Sequence, residues 1–336
     1  EILRCLVGSE MCIRDRIYRR LNVNLTQYCN NKKTIKEIAD IWKEDKRQYV
    51  KQSTMAVYLL SLENHLLPIF GGKMEVTEEE VQAFALDKLN HGLSQKSIKD
   101  MLIVLKMVVR FGEKQGWLNH VEWKVKFPAN QPKATLPILT KAHQKKLMDY
   151  LKDNFTFPNL GILVCLSTGL RIGEVCALKW SDINMDTGLL HVNRTIERIY
   201  IVDSDKPHTE IVINTPKTKN SLREIPLSKE LVRIFRSLMK VVNKDYYVLT
   251  NNTKPTEPRT YRNYFNKLLK QLDIPRLKFH GLRHSFATRC IESHCDYKTV
   301  SVLLGHADIS TTLNLYVHPN EEQKRSCIDK MMRYMK

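Results

Sequence analysis

The chain has 336 residues, enough for two domains of ordinary size, and its 43% hydrophobic content excludes a disordered protein. Lys and Arg outnumber Asp and Glu by 54 to 36, and the resulting charge of +18 favours a polyanionic partner, because each neutralised phosphate releases counterions. No apolar run approaches the length that crosses a bilayer, and the eight scattered cysteines match no zinc spacing and follow no secretory signal, which reads as reduced thiols in a cytoplasmic protein.

In chain order, the opening EILRCLVGSEMCIRDR starts without Met and carries neither a helical nor an alternating period. Its LVGSEMCIRDR string resembles translated adapter read-through, so residues 1–16 are set aside as a non-native or disordered leader, and residues 17–33 as an N-terminal extension. From Thr34 the pattern is helical. Thr34 and Glu37 form a capping box ahead of Ile35, Ile38, Ala39 and Trp42. A second helix is predicted from Ser53 to Ile69, and a third behind a second box, Thr77 with Glu80, ending near Gly92. The fourth gathers Ile98, Met101, Leu102, Leu105, Val108 and Val109 on one face and Lys99, Lys106 and Arg110 on another. That basic stripe is either a solvated face or a face laid along phosphates. These helices make a small helical domain over 34–124, and the proline-rich stretch 125–137 reads as a linker. Beyond it, Thr140 opens a helix, an apolar run covers Leu160 to Leu166, and Leu189 to Leu227 alternates as strands do. The chain is then mainly helical, giving a larger unit over 138–319 and a tail helix over 320–336. The fold class predicted is mainly α with a small antiparallel sheet.

The second unit holds three strings that are ordinary in isolation. TGLRIGE places Arg171 and Glu174 three apart, which alone reads as an ion pair. HGLRH places His280 and Arg283 on one helical face, and LLGHADISTTLNLY carries His306 and Tyr316. Each would pass for packing or capping. Their joint order is not ordinary: Arg171, a basic turn at Lys217, His280 with Arg283, then His306 and Tyr316.

That constellation closely resembles the tyrosine recombinase, or phage integrase, family, over residues from about Thr34 to Pro319. The resemblance implies an N-terminal helical core-binding (SAM-like) domain joined to a catalytic domain, closing on DNA as a clamp. It implies that Arg171 and Arg283 are the catalytic arginines, Lys217 in TPKTKNSLREIPL the hairpin lysine, His280 and His306 the catalytic histidines, and Tyr316 the nucleophile. Lys219 is the alternative in the same turn; Lys217 is preferred because the family's lysine directly follows the strand end. Position 281 is Gly where many relatives carry Asp, and His284 and His318 are taken as structural. Glu174 is expected to orient Arg171 from behind.

The residue types suit the chemistry. Cleaving a phosphodiester puts charge on a crowded phosphoryl centre, so positioning and fixed cationic donors do most of the catalysis. Arginine forks match non-bridging oxygens, and histidines add hydrogen bonds and proton transfer near neutrality. A tyrosine with a pKa near ~10 is a weak nucleophile, and surrounding cations are expected to ease its ionisation. No cofactor is implied, neither metal nor ATP. The implied partners are double-stranded DNA attachment sites, a homotetramer on them, and an excisionase or host DNA-bending factor, in the bacterial cytoplasm at the nucleoid. The stripe Lys99, Lys106 and Arg110 then becomes a candidate DNA contact, and the tail helix, with Ile328, Met331, Met332 and Met335 on one face, docks either on a neighbouring copy or on its own domain. Alternatives are a Xer-type resolvase, a type IB topoisomerase-like enzyme, or a catalytically silent relative. The stretch between Arg194 and Pro216 favours integrases of mobile elements, and no catalytic position is broken.

Overall fold

The computed structural model describes residues 32–129, 137–201, 208–215, 219–316 and 321–335, so the leader, most of the N-terminal extension, Lys217 and His318 lie outside the described residues. The fold is mainly helical with small sheets. It divides into two compact units, the first holding the described residues 32–129 and the second most of those from Ile138 onward. Among the described residues no helix is long and apolar enough to cross a membrane.

The first unit begins with α1 (Ile35–Arg47), where the Thr34 hydroxyl accepts the Glu37 N–H at 3.3 Å and Glu37 accepts the Thr34 N–H at 2.7 Å. The helix predicted over 53–69 is interrupted. It runs as α2 (Gln52–Ser61), a π turn (Leu62–Leu66) and α3 (Leu67–Phe70). Pro68 is the cause: it has no N–H and its ring crowds the preceding turn, and the wider π turn accommodates both while keeping Leu62 and Leu66 fully buried. The second box caps α4 (Glu78–Asn90). In α5 (Gln95–Lys114) the predicted apolar face is buried, joined by Val104.

The segment after α5 departs from the expectation of a linker starting at 125. Val121, Trp123, Val125 and Phe127 all turn toward the helical core while the residues between them are exposed. The Trp123 indole N–H bonds the Val76 carbonyl at 3.1 Å, and Gln82 of α4 both donates to and accepts from the Lys126 backbone. A period-two pattern therefore lies on helix side chains that satisfy its backbone in place of a neighbouring strand.

The second unit opens with α6 (Lys141–Asp153), capped by Thr140, and α7 (Phe157–Thr168), which is buried nearly all round and ends at Gly169 in the left-handed region, φ +67°. Next come the short α8 (Ile172–Cys176) and β1 (Ile183–Asn184), β2 (Leu189–Val192), β3 (Thr195–Ile201), β4 (His208–Asn214) and β5 (Arg223–Pro226). Strands β1, β2 and β5 form an antiparallel sheet with Leu190 opposite both Ile183 and Ile225; β3 and β4 form a separate pair. Helices α9 (Lys229–Leu238), α10 (Pro258–Gln271) and α11 (His280–Glu292) follow. The main core runs from Leu139 to Leu282 around Trp180, Phe235, Tyr261 and Phe265. A smaller cluster joins Ala287 of α11 to Val300 and Leu304 of α12 (Tyr297–Leu304) and Tyr316 of α13 (Ile309–Tyr316). The final helix, α14 (Glu321–Tyr334), leaves Ile328, Met331 and Met332 exposed, as is Met335 just after it.

Candidate active site

Arg171 does not share a helical face with Glu174. After the left-handed Gly169 the chain is extended at Arg171, which becomes the residue preceding α8, and Glu174 reaches back from the first turn. One Glu174 carboxylate oxygen accepts the Arg171 backbone N–H at 2.8 Å; the other accepts its guanidinium at 2.7 Å. Arg171 also donates to the Gly305 carbonyl at 3.3 Å. Gly173 is required here, because a Cβ would lie 2.5 Å from Thr195 Oγ1 and 2.7 Å from the Ile196 carbonyl.

Glu174 holds a second arginine that sequence reading missed. Arg223, with a side chain only 4% exposed, places both terminal nitrogens on the Glu174 carboxylate at 3.0 and 2.9 Å and its Nε–H on the Leu303 carbonyl at 2.7 Å. The signal lay in the REIPL string, where Arg223 and Ile225 alternate inward on β5. Burial raises the Glu174 pKa, but the Arg223 hydrogen bonds and the charges of Arg223 and Arg171 prevail and bring it down to about 2.

Helix α11 supplies the next three groups. Arg283, 1% exposed, donates to the Gly169 carbonyl at 2.9 Å and the Leu304 carbonyl at 2.6 Å. Burial first, then the Arg171 charge, lowers its pKa to about 9, which leaves it protonated at neutrality. His280 stands exposed at the start of the helix, its ring 4.6 Å from that of His284 and edge-on to it. Although its surface is open, loss of hydration among its neighbours, then His284 and Arg283, pull its pKa down to about 4. Gly281 packs on Leu277, whose side chain would lie 2.4 Å from a Cβ; this accounts for the absence of a larger residue there.

His306 follows the left-handed Gly305 and sets its Nδ1 2.9 Å from the Thr312 hydroxyl. Burial, then Arg283 and Arg171, bring its pKa to about 4 as well. Tyr316 ends α13, buried, with its hydroxyl 2.5 Å from His284 Nδ1. His284 is thus not only a packing residue, as the sequence suggested. Its signal was its place four residues after His280 and next to Arg283. The expectation for Tyr316 itself is also corrected: burial raises its pKa above 10.0, and Arg283 and Arg171 only partly oppose this.

The structure therefore brings Arg171, Glu174, His280, Arg283, His306 and Tyr316 into one charged cluster. Two guanidiniums, Arg171 and Arg223, share the Glu174 carboxylate while the buried Arg283 is held by backbone carbonyls, an excess of positive charge suited to an oxyanion. Lys217 lies outside the described residues. Asn220, in the short helical turn Lys219–Ser221, donates to the His306 and Ala307 carbonyls at 3.3 and 3.4 Å, which sets that turn beside His306. Among the described residues no group of His, Cys, Asp and Glu is arranged to hold a metal ion.

In the first unit Lys99, Ile103 and Lys106 line a 320 Å³ groove with Trp123 and Phe127. Lys99 Nζ sits 4.8 Å from the centre of the Phe127 ring. Lys106 and Arg110 continue along the helix into a second hollow beside His120 and Glu122.

Residues 137–323 match the family described as the phage integrase family, and residues 34–84 match the phage integrase N-terminal SAM-like domain. The chain is 27% identical over 290 residues to a tyrosine recombinase XerC-like protein of Caldanaerobacter subterraneus subsp. tengcongensis, covering 78% of this chain and 72% of that one. It is 24% identical over 275 residues to the ICEBs1 integrase of Bacillus subtilis, covering 76% and 71%. Its fold is similar to the Tn1549 transposon integrase in complex with transposon right end DNA, with a TM-score of 0.70 and 22% identity over 89% of this chain and 100% of that one. It is also similar to a lambda integrase dimer bound to a COC' core site, with a TM-score of 0.61 and 17% identity over 93% and 89%. With more than half of its length matched by the family, and the family's strings gathered around one buried tyrosine, the chain belongs to the phage integrase family.

Proposed function

We propose that this protein is a site-specific tyrosine recombinase that integrates and excises a mobile element by cutting and rejoining double-stranded DNA through Tyr316. The observation that carries the reading is the Tyr316 hydroxyl held beside His284 within the field of Arg171 and Arg283. The phenolic oxygen attacks the scissile phosphorus, the bond to the 5′-oxygen breaks, and a 3′-phosphotyrosine and a 5′-hydroxyl result. Arg171 and Arg283 hold the non-bridging oxygens, and part of each donor set is already fixed by Glu174, Gly169, Leu304 and Gly305, so little reorganisation is left. His280 and His306 add hydrogen bonds; a bound phosphate raises their pKa values back toward neutrality. Lys217 protonates the leaving oxygen, a role supported by the anchoring of Asn220 next to His306. The bond energy stays in the covalent intermediate, so strand exchange requires neither ATP nor a metal.

The relatives include the ICEBs1 integrase and transposases from Tn916 and Tn1545, which supports a mobile element, and also Xer-named recombinases, which makes a resolvase the second reading. We place the enzyme in the bacterial cytoplasm, acting as a tetramer on attachment sites with an excisionase or DNA-bending factor. The uncovered apolar face of α14 supports docking on a neighbouring copy. A substrate nicked near the cleavage point should trap a covalent complex with the wild type, while Tyr316→Phe should bind the same DNA and trap none. Covalent capture by the phenylalanine variant would sink the assignment. Relaxation of supercoils without any strand exchange between two sites would favour a topoisomerase instead.

A further inference from the structure

We infer that His284 is a catalytic residue: its Nδ1 accepts the phenolic proton of Tyr316 as the oxygen attacks phosphorus, and returns it when the strand is resealed. The inference rests on Tyr316 being the nucleophile. Its geometric basis is the 2.5 Å separation between His284 Nδ1 and the Tyr316 hydroxyl, with the two rings 5.6 Å apart and inclined at 52°. This is hydrogen-bond distance, and it is set by two rigid elements, α11 and α13, that pack on each other through Ala287 and Tyr316.

The neighbouring groups are less suited to the task. Arg283 and Arg171 have no acceptor to offer. His306 spends its Nδ1 on the Thr312 hydroxyl. His280 meets His284 edge-on at 4.6 Å and makes no hydrogen bond to Tyr316 among the described residues. The groups facing the His284 ring are His280 and Arg283 from its own helix and Tyr316 from α13. Helix α7 brings no charged side chain, and Lys298 of α12 acts on Asp296 and Asp308. Burial, then the Arg283 charge, lower the His284 pKa and favour the neutral imidazole; in its Nε2–H tautomer, Nδ1 carries the lone pair to which the Tyr316 O–H donates.

The proton balance is closed. The Tyr316 oxygen–phosphorus bond forms, the phosphorus–5′-oxygen bond breaks, the phenolic proton moves to His284 Nδ1, and the leaving oxygen takes a different proton from the general acid. The imidazolium so formed faces the new phosphodiester rather than another cation alone, which offsets the cost of charging it beside Arg283.

The test is cleavage of the nicked substrate as a function of pH in wild type, His284→Asn and His284→Ala. Asparagine can place an oxygen near the Nδ1 position and hold the hydroxyl, but it cannot take the proton at neutral pH. Its cleavage rate should fall by about 10²–10⁴-fold with DNA affinity unchanged. Its pH profile should lose the limb that titrates with the imidazole and rise with hydroxide instead. Added imidazole should restore part of the rate to His284→Ala, in proportion to its neutral form. A substrate with sulfur at the 5′ bridging position, which leaves without an acid, should not rescue His284→Asn. Cleavage by His284→Asn within about tenfold of wild type with the same pH limb would overturn the inference, as would rescue by the sulfur substrate. If the asparagine variant does not fold, as judged by thermal unfolding, the imidazole response of His284→Ala decides; no response counts against it. Failure of the wild type to trap any complex would instead fault the reading of Tyr316 as nucleophile.

Discussion

Glu174 carries more of the site than its place behind Arg171 implies, because Arg223 spends both terminal nitrogens on it inside the fold. Removing one member of such a buried pair strands the other charge. Glu174→Gln should therefore destabilise the protein by about 3–5 kcal/mol, measured by urea unfolding, and should lower cleavage as Arg171 loses its anchor. A loss below about 1 kcal/mol would show the pair to be expendable. The titrations of the site add a pH signature. His280 and His306 have folded-state values near 4 against an ordinary 6.5, so the unfolded chain binds protons more readily between those limits. Stability from these rings is complete above pH 6.5 and is lost as pH falls toward 4. Glu174, lowered from 4.5 to about 2, adds a second loss on further acidification through that range. The thermal midpoint should be level above pH 6.5 and decline below it. A His280→Gln, His306→Gln double variant should flatten the upper part of that decline; an unaltered curve would mean that these rings do not titrate as described.

The elements of the site were legible in the sequence wherever a local rule fixes them. Both capping boxes and the α5 face follow from spacing, and the structure has them. What local rules could not reach was set by tertiary partners. The π turn before Pro68 was hidden because its leucines keep a helical spacing. The stretch from Val121 to Phe127 was read partly as linker because the partners of its backbone are side chains of α4, distant in sequence. In the site, the order of the motifs found Arg171, Arg283 and Tyr316, but Arg223 and the approach of His284 to the hydroxyl depend on how β5, α11 and α13 meet. Gly305 shows how tightly that meeting is set. Its φ is +66°, and a Cβ would lie 2.7 Å from the Asn220 carbonyl. Gly305→Ala should cost about 1–2 kcal/mol for the left-handed backbone alone, with more from that clash. It should lower the unfolding temperature and slow cleavage by moving His306. Unchanged stability would mean that the turn from Lys219 to Ser221 yields freely.

At the level of the whole molecule, the charge of +18 includes two local groups of cations. The α5 stripe lines a groove with aromatic walls on one unit, while the guanidinium cluster belongs to the other. If the stripe tracks phosphates, the variant Lys99→Gln, Lys106→Gln, Arg110→Gln should weaken binding to all DNA sequences alike. It should also flatten the dependence of log affinity on log salt by about 2–3, near ~0.9 for each phosphate no longer neutralised. An unchanged slope would return the stripe to the status of a solvated face. The reach of one guanidinium has a further consequence. Arg223 ties Glu174, 49 residues before it, to the Leu303 carbonyl, 80 residues after it, and Tyr316 comes later still. The cluster around Glu174 therefore comes into being only once the chain has been made through Tyr316 and has closed upon itself, so no shorter N-terminal piece can assemble it.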